Sequence, residues 1–167
     1  GYTERYLRGR IVGALGGRAA EDVVYGEATT GAESDLDQAT QLARRMVGRW
    51  GMSSVVGPVA VLPPPGQEQP FGLDGVAPAT RELVDTEVRR RVEDCYAEAV
   101  DTLRVHRDRL DRLAHTLLEG ETLDEDEAYA AAGVTRDAAP AAIARGETPG
   151  TDRAPGLPPE GAAATAR

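Results

Sequence analysis

Between residues 79 and 119, apolar side chains recur every three or four positions, and Glu, Asp and Arg fill most of the intervals. Val84, Val88, Val92, Cys95, Ala99 and Leu103 form one stripe; Leu110, Leu113, Ala114, Leu117 and Leu118 form a second. This period puts each set on one face of a helix. The stretch contains neither proline nor glycine, so nothing in it interrupts a long helix. The phase of the stripe shifts near Val105 and His106, where a bend or short break lets both stripes face one core. The two stripes are therefore expected to bury each other as a hairpin or bent pair. Glu87 and Arg91, four residues apart on the outer face, are spaced to pair. Gly120 is a natural stop. Thr122-Leu-Asp-Glu125 reads as a capping box that opens a short helix through Ala132.

The N-terminal part carries two further stripes. Tyr6, Leu7, Ile11, Ala14 and Leu15 predict a helix within about 3–25, weakened by Gly13, Gly16 and Gly17. Leu36, Ala39, Ala43, Met46 and Trp50 predict a second over 34–50, with Ser34 as N-cap, Asp35 and Asp37 in the first turn and Gly51 as its end. Met46 and Trp50 are expected in the core. Gly26 to Gly31 reads as a loop. Val55 to Leu62 is short and β-branched but interrupted by Gly57-Pro58, which suits an edge strand or an extended loop.

Proline confirms these divisions. None of the 11 prolines lies in 1–57 or 79–139. Residues 63–78 read as a proline- and glycine-rich surface loop within a longer connection, 51–78. From Thr135 onward the composition shifts toward Ala, Pro, Gly, Thr and Arg, with no aromatic residue and little that could be buried, and 135–167 is expected to be a disordered tail. The fold class is thus mainly α: one helical domain over 1–134, followed by a tail.

Charge narrows the function. The formal net charge is −9, and all 19 basic residues are arginine. An acidic surface argues against nucleic acid as the partner. Without lysine no P-loop can be present. The single cysteine, Cys95, excludes an internal disulfide and a multi-cysteine zinc site. No apolar run is long enough to span a membrane. The chain opens on Gly1 without a signal-peptide pattern and reads as a piece of something longer.

Few residues are left to carry chemistry. His106 and His115 lie nine positions apart, the wrong spacing for chelation from one helix face, and read as surface or boundary residues. Cys95 reads as a buried, inert thiol. Asp124-Glu-Asp-Glu127 and Asp108-Arg-Leu-Asp111 read as helix starts and solvated faces. Gly13-x-x-Gly16-Gly17 lacks the strand and spacing of a dinucleotide loop, and close helix packing explains it. Asp35 on its own reads as a first-turn carboxylate that stabilises the helix dipole by about 0.3–1 kcal/mol.

Three blocks of sequence change the reading of Asp35. The first is Leu15-Gly-Gly-Arg-Ala-Ala-Glu21 with Val23-Val-Tyr-Gly26. The second is Thr29-Thr-Gly-Ala-Glu-Ser-Asp35-Leu-Asp-Gln-Ala-Thr40, continuing through Ala43-Arg-Arg-Met-Val47 to Trp50-Gly-Met52. The third is Glu87-Val-Arg-Arg with Cys95-Tyr96, His106-Arg-Asp-Arg-Leu110 and Glu121-Thr-Leu-Asp124. In order and spacing, residues 1–134 resemble the C-terminal protease domain of the FtsH family, the membrane-anchored, ATP-dependent zinc metalloproteases.

The resemblance implies a mostly helical domain and a zinc site shared with an upstream segment. In that family a His-Glu-x-x-His helix supplies two zinc ligands and the general base, and the Asp of Thr-Gly-Ala-x-x-Asp, here Asp35, supplies the third ligand. Zinc held this way keeps an open position for water. Glu21 is the other candidate carboxylate and reads equally well as a structural acid. The His-Glu-x-x-His helix is absent from this chain, as are the nucleotide-binding module, with its ATP and magnesium, and the membrane segments. No catalytic or nucleotide-binding residue is therefore expected here, and the isolated chain is expected to be inactive. The complete enzyme implied would be a homohexamer on the cytoplasmic face of the cell membrane that degrades membrane and soluble polypeptides. The alternatives are a non-catalytic FtsH-like module for assembly or substrate handling, and a free-standing helical interaction protein.

Overall fold

The proline-free stretches are helical. In a computed structural model, which describes residues 1–64, 66–67 and 75–135, the elements are α1 (Glu4–Ala14), α2 (Gly16–Tyr25), a 3-10 turn (Thr30–Ala32), α3 (Glu33–Gly48), α4 (Pro78–Val105), α5 (Arg107–Gly120) and α6 (Glu125–Ala132). There is no strand among the described residues, so the fold is mainly α as expected. Val55 to Leu62 is a turn and extended loop rather than an edge strand. Of the expected loop and tail, 65, 68–74 and 136–167 lie outside the described residues.

Local chemistry sets most boundaries. Thr3 caps α1, its hydroxyl accepting from the Tyr6 N–H at 3.3 Å. The single helix expected over 3–25 is two, because the chain bends at Leu15 between Gly13 and the Gly16-Gly17 pair; glycine pairs are common kink sites. Two 3.0 Å bonds, Leu15 N–H to Ile11 O and Ala19 N–H to Leu15 O, carry the ladder across the bend. Pro78 occupies the first turn of α4, where its missing N–H costs nothing. The break expected near Val105 and His106 separates α4 from α5. Helix α5 ends at Gly120 as expected, and it is Glu121, the residue after it, that takes the positive φ, 60°. The capping box lies two residues beyond the expected one, with the Asp124 carboxylate accepting from the Glu127 N–H at 2.8 Å and Glu127 reciprocating at 2.9 Å.

The main core joins three helices. Leu7, Ile11 and Leu15 from the α1 segment meet Ala39, Leu42, Ala43, Met46 and Val47 of α3 and Val84, Val88 and Cys95 of α4. A smaller cluster of Ala19, Ala99 and Val100 joins α2 to the second half of α4. The α4 stripe is thus buried as predicted, but its partner is wrong in the sequence reading. It packs on α1, α2 and α3, whereas α5 contributes no buried residue and packs mainly on α6. Leu117 and Leu118 remain exposed, and Val92 is half-buried. The physical reason is that α4 has enough apolar surface for one set of neighbours, and the N-terminal helices bury more of it than α5 could.

Other corrections follow from the same packing. Trp50 is exposed, with the Arg45 guanidinium 5.8 Å from its ring centre. It lies beyond the end of α3, where the helical period that made it look internal no longer applies. Glu87 and Arg91 are buried rather than on the outer face, and they do not pair with each other. Glu87 binds Ser53 Oγ at 3.0 Å and Arg90 at 3.0 Å. Arg91 donates to Glu4 at 2.6 Å and to the Met52 carbonyl.

Two measurements check this packing. Gly51 has φ of +63°, and a Cβ there would lie 2.8 Å from Pro58 Cα; Gly57 has φ of +89° with open space around it. Gly51→Ala should therefore destabilise the domain by more than about 2 kcal/mol, through strain plus a backbone clash. Gly57→Ala should cost about 1 kcal/mol, from strain alone. Equal shifts in denaturant midpoint would remove the clash from the explanation. Cys95 is fully buried, and burial pushes its thiol pKa up. It should label with thiol reagents only as fast as the domain opens, and immediate labelling of the native protein would place it on the surface.

Candidate functional site

The segment between α2 and α3 is organised around Thr29. Its extended backbone starts the 3-10 turn, and its hydroxyl accepts from the Gly31 N–H at 3.2 Å. This is the short side-chain-to-backbone bond that threonine favours ahead of a helix. Both Thr29 donors are taken by one carboxylate: the backbone N–H reaches Glu21 Oε2 and the hydroxyl reaches Glu21 Oε1, each at 2.9 Å. Glu21 projects from α2, so the preceding helix clamps the loop eight residues on. The Thr29 backbone and hydroxyl bonds hold the Glu21 carboxyl below its usual range.

The side-chain cap expected of Ser34 is absent: α3 continues from Ala32 of the 3-10 turn without one, and Thr29 caps that turn instead. Ala32 is buried beneath the turn. Asp35 lies in the first turn of α3 and is half-buried, whereas Asp37 is exposed. A Cβ at Gly17 would lie 4.0 Å from Asp35 Oδ2, so the carboxylate rests over the glycine of α2. Asp35 makes no hydrogen bond or ion pair among the described residues, which leaves its oxygens free to donate an electron pair to a cation from outside.

Other residues with possible chemistry are accounted for structurally. His106 at the α4–α5 junction and His115 on α5 are exposed. Asp111 pairs with Arg107 at 2.8 Å and Asp108 with Arg112 at 3.6 Å. Asp124 and Glu127 form the α6 cap. Among the described residues, no group of three or more His, Cys, Asp or Glu could hold a metal ion. The chemistry of Asp35 suits a zinc ligand, but it is a single donor, and the remaining ligands must come from outside the described residues.

Sequence reasoning missed Thr29 and Gly17. A hydroxyl residue followed by Thr-Gly was a signal for the turn. The close approach of Asp35 to Gly17 had no local signal, because it depends on where tertiary packing sets the start of α3 against α2.

Asp35 alone cannot hold a metal ion, and comparison with known proteins gives the class of the chain. The family model described as Peptidase family M41 matches residues 1–130, and the chain belongs to that family. It is 54% identical over 134 residues to the ATP-dependent zinc metalloprotease FtsH 3 of Conexibacter woesei, covering 80% of this chain and 18% of that protein. It is 51% identical over 131 residues to the ATP-dependent zinc metalloprotease FtsH of Thermobaculum terrenum, covering 75% of this chain and 20% of that protein. The chloroplastic ATP-dependent zinc metalloprotease FTSH 1 of Arabidopsis thaliana is 40% identical over 132 residues, 75% of this chain and 18% of its own length. The chain thus spans only a small part of the relatives it matches. No described helix is long and apolar enough to cross a membrane.

The two bridging glutamates give an expected pH dependence. Thr29 lowers the pKa of Glu21, while Arg90, with help from Ser53, lowers that of Glu87 against the opposing effect of burial. A depressed carboxylate contributes stability above its unfolded value, ordinarily 4.5, and that contribution disappears as pH falls through the folded value. The domain should therefore lose stability as pH falls below that range. Glu21→Gln and Glu87→Gln should each flatten the acid limb of a plot of denaturant midpoint against pH, and an unchanged limb would show that the carboxylate is not linked to folding.

Proposed function

We propose that this chain is the C-terminal part of the protease unit of a membrane-anchored, ATP-dependent zinc metalloendopeptidase of the FtsH type. The observation that supports this best is Thr29-Thr-Gly-Ala-Glu-Ser-Asp35 folded as a clamped turn leading into α3, inside the span matched by the M41 model. The names of the relatives add zinc and ATP dependence to the reading. Residues 1–134 are its partial peptidase domain and 135–167 its tail.

In this reading Asp35 is the zinc ligand contributed by this chain. A zinc ion held there supplies a Lewis acid and a water of lowered pKa for attack on a peptide carbonyl. Asp35 offers an oxygen that no neighbouring arginine or hydroxyl competes for. Its half-buried position over Gly17 limits the directions the carboxylate can take. The histidine ligands, the general base, the nucleotide module with ATP and magnesium, and the membrane segments belong to parts of the parent outside this chain. The parent works as a homohexamer on the cytoplasmic face of the cell membrane and takes membrane and soluble polypeptides as substrates, with no role for nucleic acid. The isolated chain, with one ligand, is inactive.

A second reading, a non-catalytic module kept for assembly, draws on the exposed leucines of α5. The parent reading frame separates the two: an intact His-Glu-x-x-His and P-loop upstream support the enzyme, and altered motif residues support the module. A start codon near Gly1 would favour a free-standing protein instead.

Zinc content tests the ligand directly. In the purified full-length parent, Asp35→Asn should remove most of the bound zinc and abolish proteolysis while ATP hydrolysis continues. Asp37→Asn, on an exposed side chain two residues away, should keep its zinc. Full zinc occupancy in the Asp35→Asn protein would return Asp35 to a helix-dipole role.

A further inference from the structure

We infer that Glu21 is a positioning residue for Asp35 and acts through Thr29. The inference rests on the reading of Asp35 as a zinc ligand. A ligand must be held to within about 0.5 Å to be useful, and groups behind it usually do the holding. Asp35 has no such group of its own, because its carboxylate makes no bond to the protein. Its direction is set by the backbone at the start of α3, the part of a helix that frays most easily.

Three features fix that backbone. Glu21 accepts both Thr29 donors at 2.9 Å. The Thr29 hydroxyl in turn accepts from Gly31 N–H at 3.2 Å, so the chain from Glu21 through Thr29 to Gly31 spans the whole entry to the 3-10 turn. Ala32, next in line, is buried. Position matters as much as bonding. Gly17 and Glu21 are four apart in α2 and so lie on one face. That face carries the Asp35 carboxylate at Gly17 and grips the loop at Glu21. The start of α3 is therefore referenced to α2 at both ends of the segment. Glu21 is not placed as a ligand itself, since both of its oxygens are already committed to Thr29. Glutamine replaces it only in part: its oxygen can still accept from the Thr29 N–H, but its NH2 would force the hydroxyl to accept instead of donate, and the charge is lost.

The test uses the full-length parent enzyme, with zinc affinity from chelator competition and the visible absorption of the cobalt(II)-substituted protein. Glu21→Gln and Thr29→Val should each weaken zinc binding about 10- to 100-fold. The double variant should be no weaker than the worse single one, because both break the same chain. Thr29→Ser, which keeps the hydroxyl and the N–H, should bind as the native protein does. At saturating cobalt the Glu21→Gln spectrum should differ from the native one while the Thr29→Ser spectrum matches it; a glutamate that served only global stability would leave the saturated spectrum alone. Native affinity and spectrum in Glu21→Gln, with zinc lost in Asp35→Asn, would overturn the positioning role and leave the ligand reading intact. Zinc retained in Asp35→Asn would overturn the ligand reading, and zinc lost only in Glu21→Gln would make Glu21 the ligand and overturn both.

Discussion

Helix α4 buries two charged side chains on its apolar face, and the arrangement of the other helices has to satisfy them. Glu87 and Arg91 sit between Val84, Val88 and Cys95, each almost wholly out of water. A buried charge without a partner is destabilising by several kcal/mol, roughly 3–5 when one member of a pair is removed. Here each takes partners from a different part of the chain. Glu87 takes the hydroxyl of Ser53 and the guanidinium of Arg90, and Arg91 takes Glu4 at the start of α1 and the carbonyl of Met52. The loop after α3 and the first turn of α1 are thereby tied to the same two turns of α4. The match is incomplete, since Arg91 Nε is buried without a partner. Such an atom costs about 1–3 kcal/mol, so the seam specifies the arrangement more than it adds to stability.

With the first half of α4 held by α1 and α3, its second half is left to α2 through Ala19, Ala99 and Val100. Tyr96 reinforces that contact, its hydroxyl donating to Asp22 at 3.3 Å. This fixes α2, and α2 in turn supplies the surface on which the Thr29 turn and Asp35 are laid out. The candidate ligand is therefore held by a sequence of supports that runs from a core helix to an exposed loop. Helix α5 touches it through Arg107, which donates to the Val23 carbonyl of α2 at 3.2 Å. Beyond the His106 junction α5 and α6 pack on one another and leave Leu117 and Leu118 exposed.

A short exposed motif depends here on distant packing. The segment from Gly26 to Ala32 has almost no apolar side chain of its own to bury, Ala32 excepted. Its order comes from hydrogen bonds to Glu21, and these exist only because α2 is already in place. Loops of this kind are positioned by the rigid elements beside them, and a site at their end inherits that precision.

Much of the molecule was legible in the chain itself. Proline and glycine positions and the 3.6-residue period located the helices, the Val105–His106 break and most of the core, because these depend on interactions within a few residues. Asp35 was legible as a candidate only through the words around it, since a first-turn aspartate alone says no more than helix dipole. Tertiary structure decided the rest. Periodicity names a buried face but not the face it meets, so α5 was mistaken for the partner of α4. Spacing of four suggested that Glu87 and Arg91 join each other, but Glu87 joins Ser53 of the loop and Arg90 of its own helix, and Arg91 joins Glu4 of α1 and the Met52 carbonyl. Sequence placed a side-chain cap at Ser34, but α3 follows directly from a 3-10 turn without one; Thr29 caps that turn and is held by Glu21 from α2. Local energies choose the elements, while contacts between residues far apart in the chain choose their partners, and no short window of sequence contains both members of such a contact.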